Sequence, residues 1–147
     1  MSGEGDLAGS DTLGDGDCVV LTFPARGDLV VLARLVSSAI STRVGFDIEE
    51  LEDLRLAVGE LCLLALAGSD ARHGDLRLEF TVSPESLDIS CTLGGAAPAT
   101  VSRNGDGDEA DELSEQILAA LVDEHGRDQE DGSVRAWLRK RRKGPLA

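Results

Sequence analysis

Two runs restrict what this chain can become. DLRLEFTV, residues 75 to 82, and SLDISCTL, residues 86 to 93, each alternate apolar and polar side chains, and the turn-forming SPES joins them. Successive side chains on a strand point to opposite faces, so a period of two means one face buried and one face wet. This predicts a β-hairpin. A hairpin is marginal alone and needs helices or further strands to cover its apolar face.

The rest of the chain supplies that cover. Residues 1 to about 16 are Gly, Asp and Ser with little to bury, and read as a disordered tail. CVVLTFP, 18 to 24, is β-branched and reads as a strand stopped by Pro24. Asp28 is placed to cap a first helix running to about Val44, with Leu29, Leu32, Ala33, Val36 and Ile40 inward. GF breaks the chain. Asp47 then caps a second helix, and Glu50 completes a capping box. That helix buries Leu51, Leu54, Val58, Leu61, Cys62 and Ala65 and ends near Gly68. Residues 94 to 111 are Gly-rich and polar, and a loop of that length is a functional lid or disordered. A third helix, Glu112 to Glu124, turns Leu113, Ile117, Ala120 and Leu121 inward. GSVRAWLRK, 132 to 140, is a last strand with Val134, Ala136 and Leu138 on one face and Arg135, Trp137 and Arg139 on the other.

The order β-α-α-β-β-loop-α-β reads as a two-layer α/β sandwich, a mixed or antiparallel sheet with helices packed on one face. The expected division is a tail over 1–16, one domain over 17–141 and a basic flexible tail over 142–147. A chain of 147 residues suffices for one core. It has no signal peptide and no apolar run near the length of a membrane span, so a soluble cytoplasmic protein with no membrane partner is expected. Three cysteines at unrelated spacings and two distant histidines, His73 and His125, form no metal pattern. Cys62 and Cys91 read as small core residues, and Cys18 as the more exposed thiol.

The formal net charge is −14 and is unevenly spread. From Asn104 to Asp131 eleven acids face one base, Arg127, while Arg135 to Lys143 hold six bases and no acid. Such a chain does not bind nucleic acid through its main surface. The acids either keep the protein soluble or steer a basic protein partner. The basic run RKRRK reads as a solvated tail, or else meets an acidic segment of a partner or of the chain itself.

FPAR at 23–26, LARLV at 32–36 and GFDIEELEDLRLAVGE at 45–60 resemble the anti-sigma-factor serine kinases, as do ILAALVDEH at 117–125 and the final GSVRAWLRK. These belong to the histidine-kinase-like ATPase superfamily, whose fold is called the Bergerat fold. The resemblance covers about residues 18 to 140 and implies a protein that binds an alternative sigma factor and is released by a STAS-type anti-anti-sigma protein. Active members phosphorylate a serine of that STAS protein with ATP and magnesium.

In that family a Glu and an Asn four residues later share one face of the second helix; the Asn helps hold Mg²⁺ and the Glu is the general base. Here Glu60 matches the Glu, but the Asn position is Leu64, with Leu63 beside it. A hydrocarbon side chain cannot coordinate a hard cation. An Asp after the hairpin accepts from the adenine amino group; its place here is Leu93, before Gly94 and Gly95. Losing that acceptor leaves a polar edge unpaired at a cost of about 1–3 kcal/mol. A glycine turn at the next helix start cradles phosphate. The matching stretch is Leu113-Ser114-Glu115-Gln116 after Asp111 and Glu112, carboxylates that suit the helix dipole and repel another anion.

The resemblance so read implies a sigma-sequestering protein without kinase activity, with no cofactor and no metal. Glu60 is then vestigial, or simply a solvated or lid-paired carboxylate. The partner-binding residues carried over are Arg26, Asp28 and Arg34, the last of which also reads as plain polar helix face. The alternative is an active kinase using ATP and magnesium on a STAS partner. A scaffold or ligand sensor using the emptied pocket, and a domain with no sigma partner, are further readings. Family members pair as homodimers, and CVVLTF is an apolar edge suited to such pairing.

Overall fold

A computed structural model describes residues 13–67, 74–94, 105–130 and 133–143. Strand β1 spans Cys18–Pro24, and a 3-10 turn at Gly27–Leu29 leads into helix α1, Val30–Val44. Helix α2 is Ile48–Ala67, and strands β2 and β3 are Asp75–Val82 and Ser86–Gly94. Helix α3 is Gly105–Leu121, and strands β4 and β5 are Glu124–Glu130 and Ser133–Arg141. The five strands form one sheet in the order β1-β2-β3-β5-β4, and every pairing is antiparallel.

The hairpin lies where the alternation put it. Leu76, Leu78, Phe80 and Val82 of β2 and Leu87, Ile89, Cys91 and Leu93 of β3 are buried beneath the helices. Val134, Ala136 and Leu138 of β5 continue that face. Leu54, Val58, Leu61, Cys62, Leu64 and Ala65 of α2 close the core from above. Each Leu, Ile, Val and Phe among them contributes about 1.5–3 kcal/mol by leaving water.

Local signals account for the helix ends. Gly45 terminates α1 with φ of 99°, a left-handed conformation that glycine enters without a Cβ clash. Its N–H and that of Phe46 donate to the Ser41 carbonyl at 3.1 Å, in the manner of a Schellman closure. The capping box of α2 is present in full. The Asp47 N–H donates to Glu50 Oε1 at 2.9 Å, and the Glu50 N–H donates to Asp47 Oδ1 at 2.7 Å.

Several expectations are corrected. Asp28 does not cap α1: it lies in the 3-10 turn, and α1 has no side-chain cap. The buried stripe of α1 is Val30, Ala33, Ser37, Ile40, Ser41 and Val44, and Leu32 is exposed. VVLARLV is apolar nearly all round, so several stripes fit its periodicity equally well. Leu51 of α2 is only half-buried. The third helix starts at Gly105 and stops at Leu121, and strand β4 occupies residues given to that helix and to a loop. Its inner face carries Asp111, Ser114 and Leu118; Leu113 and Ala120 point outward, and Ile117 and Leu121 are half-buried.

The basic run is not a solvated tail through Lys143. Lys140 is buried and donates from Nζ to the Leu121 carbonyl at 2.7 Å, with Asp53 at 3.4 Å. Arg142 donates to the Val44 carbonyl at 3.0 Å, and the Lys143 N–H donates to Glu50 Oε2 at 2.7 Å. The C-terminal segment thereby ties β5 to the α1–α2 junction and to the end of α3. The expected N-terminal tail and the glycines of the long loop fall largely outside the described residues. No helix among the described residues is long and apolar enough to cross a membrane.

Candidate functional site

The face of α2 that turns toward α3 carries Glu60 and, one turn on, Leu64. Glu60 is half-buried and accepts a 2.8 Å hydrogen bond from the Ser114 hydroxyl of α3. Leu64 is 2% exposed and belongs to the core, while its neighbour Leu63 is 44% exposed. Leu63 and Leu64 therefore do not share the greasy face assigned to them, since adjacent helix positions lie about 100° apart. Leu93 sits at the end of β3, paired with Leu76 and buried against the helices. Gly95 lies outside the described residues. The space between α2 and the hairpin is filled by Leu61, Leu64, Leu76, Leu78, Cys91 and Leu93.

Asp111 and Ser114 were placed at a helix start, where a dipole would favour carboxylates. With α3 beginning at Gly105 they stand well inside it, and that argument does not apply to them. Their polar groups are met from the side. Arg127 of β4 donates to Asp111 at 2.9 Å and lies 3.6 Å from Glu115. A cleft of about 290 Å³ reaches Leu64 from this side, lined also by Glu115, His125, Gly126 and Arg127. Sequence reasoning missed this group, although Arg127 was marked as the lone base of an acidic stretch.

The residues expected to meet a partner fall in two places. Arg26 and Asp28 pair with each other at the surface, through contacts of 3.1 and 2.8 Å. Arg34 of α1 is half-buried, and the Nε–Nη2 edge of its guanidinium rests against Gly59 of α2. Gly59 precedes Glu60, but the two point to different sides of the helix, so the structure does not bring Arg34 and Glu60 into one site. Gly59 went unnoticed in the sequence, where a glycine inside a strong helix pattern is itself a signal.

Cys62 and Cys91 are both fully buried, and Cys18 is exposed. A hydrogen bond with the Cys62 thiol, and burial after it, push the Cys91 thiol well above its ordinary value. No group of metal-binding side chains occurs among the described residues.

The family model for the histidine kinase-like ATPase domain matches residues 23–140. The chain belongs to that family. Among histidine kinase-like ATPase relatives, the serine-protein kinase RsbW of Bacillus pumilus (strain SAFR-032) is 34% identical over 77 residues, 50% of this chain and 48% of the relative. The serine-protein kinase RsbW of Listeria monocytogenes serovar 1/2a is 30% identical over 83 residues, 55% of this chain and 53% of the relative. The chain thus spans about half the length of the curated relatives it matches. A crystal structure of the RsbU and RsbW domains of a Mycobacterium tuberculosis protein superposes with a TM-score of 0.64 at 18% identity, covering 88% of this chain and 33% of that one. At that identity the likeness speaks for the histidine kinase-like ATPase fold alone.

Proposed function

We propose that this chain is an anti-sigma factor that sequesters an alternative sigma factor by direct binding, without transferring phosphate, and that a STAS-type partner releases it. The observation that carries the reading is Leu64. Where the resemblance calls for a magnesium-holding Asn, a hydrocarbon side chain is packed in the core at 2% exposure. Restoring an oxygen there would bury a polar group in an apolar setting. Two further observations support it: Leu93 offers adenine no acceptor and is buried, and Glu60 is engaged by Ser114. These side chains do not fit a magnesium nucleotide held in the family manner.

In this reading the chain works in the cytoplasm as a homodimer paired through β1, and Arg26, Asp28 and Arg34 meet the partner. Arginine is a common anchor at such surfaces because its planar fork binds carboxylates through two bonds. Titration with ATP and magnesium in a calorimeter is expected to give no binding heat; a micromolar Kd overturns the reading. The purified chain is expected to retain an alternative sigma factor of its own organism, and Arg34→Glu is expected to weaken that complex by at least about 30-fold.

One observation favours a second reading, a working kinase. Glu60 is in place on α2, and the named relatives are serine-protein kinases. Phosphate appearing on a STAS protein incubated with this chain, ATP and magnesium would select it.

A further inference from the structure

The outer surface of α1 and α2 holds one contact that the alignment of motifs does not require. A Cβ built on Gly59 would stand 2.5 Å from Arg34 Nη2, 2.7 Å from Nε and 2.9 Å from Cζ. Nη2 and Nε are the nearest atoms and Cζ the farthest, so the group turns its Nε–Nη2 edge toward the glycine and its Nη1 end away from it. Real Cβ atoms do not approach so closely, so any other residue at position 59 moves the guanidinium. Glycine is also the costliest ordinary residue for a helix interior, so its presence in the middle of α2 calls for a local reason.

The surroundings show what the seat presents. Among the described residues no carboxylate pairs with Arg34, in a chain of net charge −14. Val31 and Leu35 on α1 flank it in sequence and are 48% and 58% exposed. Leu56 and Leu63, one turn either side of Gly59, are 58% and 44% exposed. An arginine whose outward Nη1 end keeps its donors free beside exposed apolar side chains fits a partner segment that carries a carboxylate among apolar side chains, because such neighbours exclude water from the ion pair.

We infer that Gly59 is a positioning residue for partner binding: its missing side chain seats the Arg34 guanidinium across α2, and the seated group takes a carboxylate of the bound protein. The inference rests on the proposed sigma-binding function and adds to it the residue that sets the direction of Arg34. A guanidinium whose edge rests on the glycine is already ordered before the partner arrives, so less rotamer freedom is lost on binding. The displaced atoms are the far end of a flexible side chain, so Gly59→Ala folds with Arg34 swung outward.

The test has two arms. In the first, wild type and Gly59→Ala are treated with phenylglyoxal, and modification of Arg34 is followed by peptide mass spectrometry. The seated group is expected to react more slowly than the displaced one. In the second, the Kd for the purified alternative sigma factor is measured for wild type, Gly59→Ala, Arg34→Ala and the double variant, with a melting curve for each. Gly59→Ala is expected to weaken binding roughly tenfold while its melting temperature holds or rises, and to add nothing in the double variant. A purely structural role for Gly59 would lower stability and binding together. Equal phenylglyoxal rates overturn the seat itself. Faster modification with unchanged Kd, where Arg34→Ala still weakens binding, overturns the positioning role and leaves the proposed function standing. Unchanged Kd in Arg34→Ala overturns this use of the arginine and of its seat together. Wild type that binds no sigma factor overturns the proposed function and the binding half of the inference, while the modification arm still reads the seat by itself.

Discussion

Ser114 of α3 donates its hydroxyl to the Glu60 carboxylate of α2 at 2.8 Å, joining two helices by a polar contact at the rim of an apolar core. A hydrogen bond to an ionised acceptor is stronger than a neutral one. Ser114→Ala is expected to lower unfolding stability by roughly 1–2 kcal/mol. Glu60→Gln, which keeps an acceptor, is expected to cost less. Urea titration of the two single variants and the double variant reads the coupling. Strict additivity would mean that the pair does not act as a unit.

Glu50 serves two donors from one buried carboxylate. It accepts the Asp47 N–H, supports the helix start and accepts the Lys143 N–H. Glu50→Ala therefore removes a cap and frees the C-terminal segment together. A loss of about 1–2 kcal/mol in a thermal melt is expected, with faster amide exchange at Lys143. Exchange there that does not change would mean that Arg142 holds the segment alone.

Trp137 is the single tryptophan of the chain and lies against Gly126 across the β4–β5 pair. A Cβ at position 126 would meet Cζ2 of the indole at 2.6 Å. Gly126→Ala is expected to tilt the ring into solvent and move its fluorescence to longer wavelength. Emission identical to wild type would show that the ring does not rest on the glycine.

The thiols are expected to separate by reactivity. At pH 8, Cys18 of the native protein should consume one equivalent of a disulfide reagent, with Cys62 and Cys91 reacting only after denaturation. The pH dependence follows in sign. The folded state holds the Cys91 proton more tightly than the unfolded chain, whose thiol titrates near 9.0. This contribution to stability is complete below that pH and is lost as pH rises beyond it toward the folded value. A flat denaturation midpoint from pH 8 to 10 would contradict it.

Lys140 ends the inner face of β5 with its ammonium on the Leu121 carbonyl and near Asp53. Lys140→Met keeps the stem and removes the charge. A loss of roughly 1–3 kcal/mol is expected, because a buried carbonyl and a carboxylate lose their donor. A variant as stable as wild type would mean that water replaces it there.

The elements that were legible before the structure were those whose apolar pattern had one solution. The hairpin, the last strand and α2 with its capping box alternate or repeat cleanly, and position 64 could be tied to Glu60 by helix spacing alone. Helix α1 was found with Leu29, Ala33, Val36 and Ile40 on the core side, and only Leu32 was misplaced, because Val31, Leu32 and Leu35 offer apolar residues on sides that the core does not use. Strand β4, EHGRDQE, has no apolar alternation; its pairing with β5 is decided by tertiary contact and not by propensity. The inner face of α3 was misread for a related reason. Asp111 and Ser114 look like surface residues until Arg127 and Glu60, distant in sequence, are seen to meet them.

The two borders of the sheet differ in kind. One is β4, dense in charge, and the other is β1, CVVLTFP, with Val20 46% exposed. Charged margins discourage the addition of another chain, and apolar ones invite it. In the proposed homodimer, a second copy meeting β1 about a two-fold axis would cover the apolar border of each. Under that proposal the charged border at β4 would be left as the outer limit of a ten-stranded sheet, two copies of five strands each.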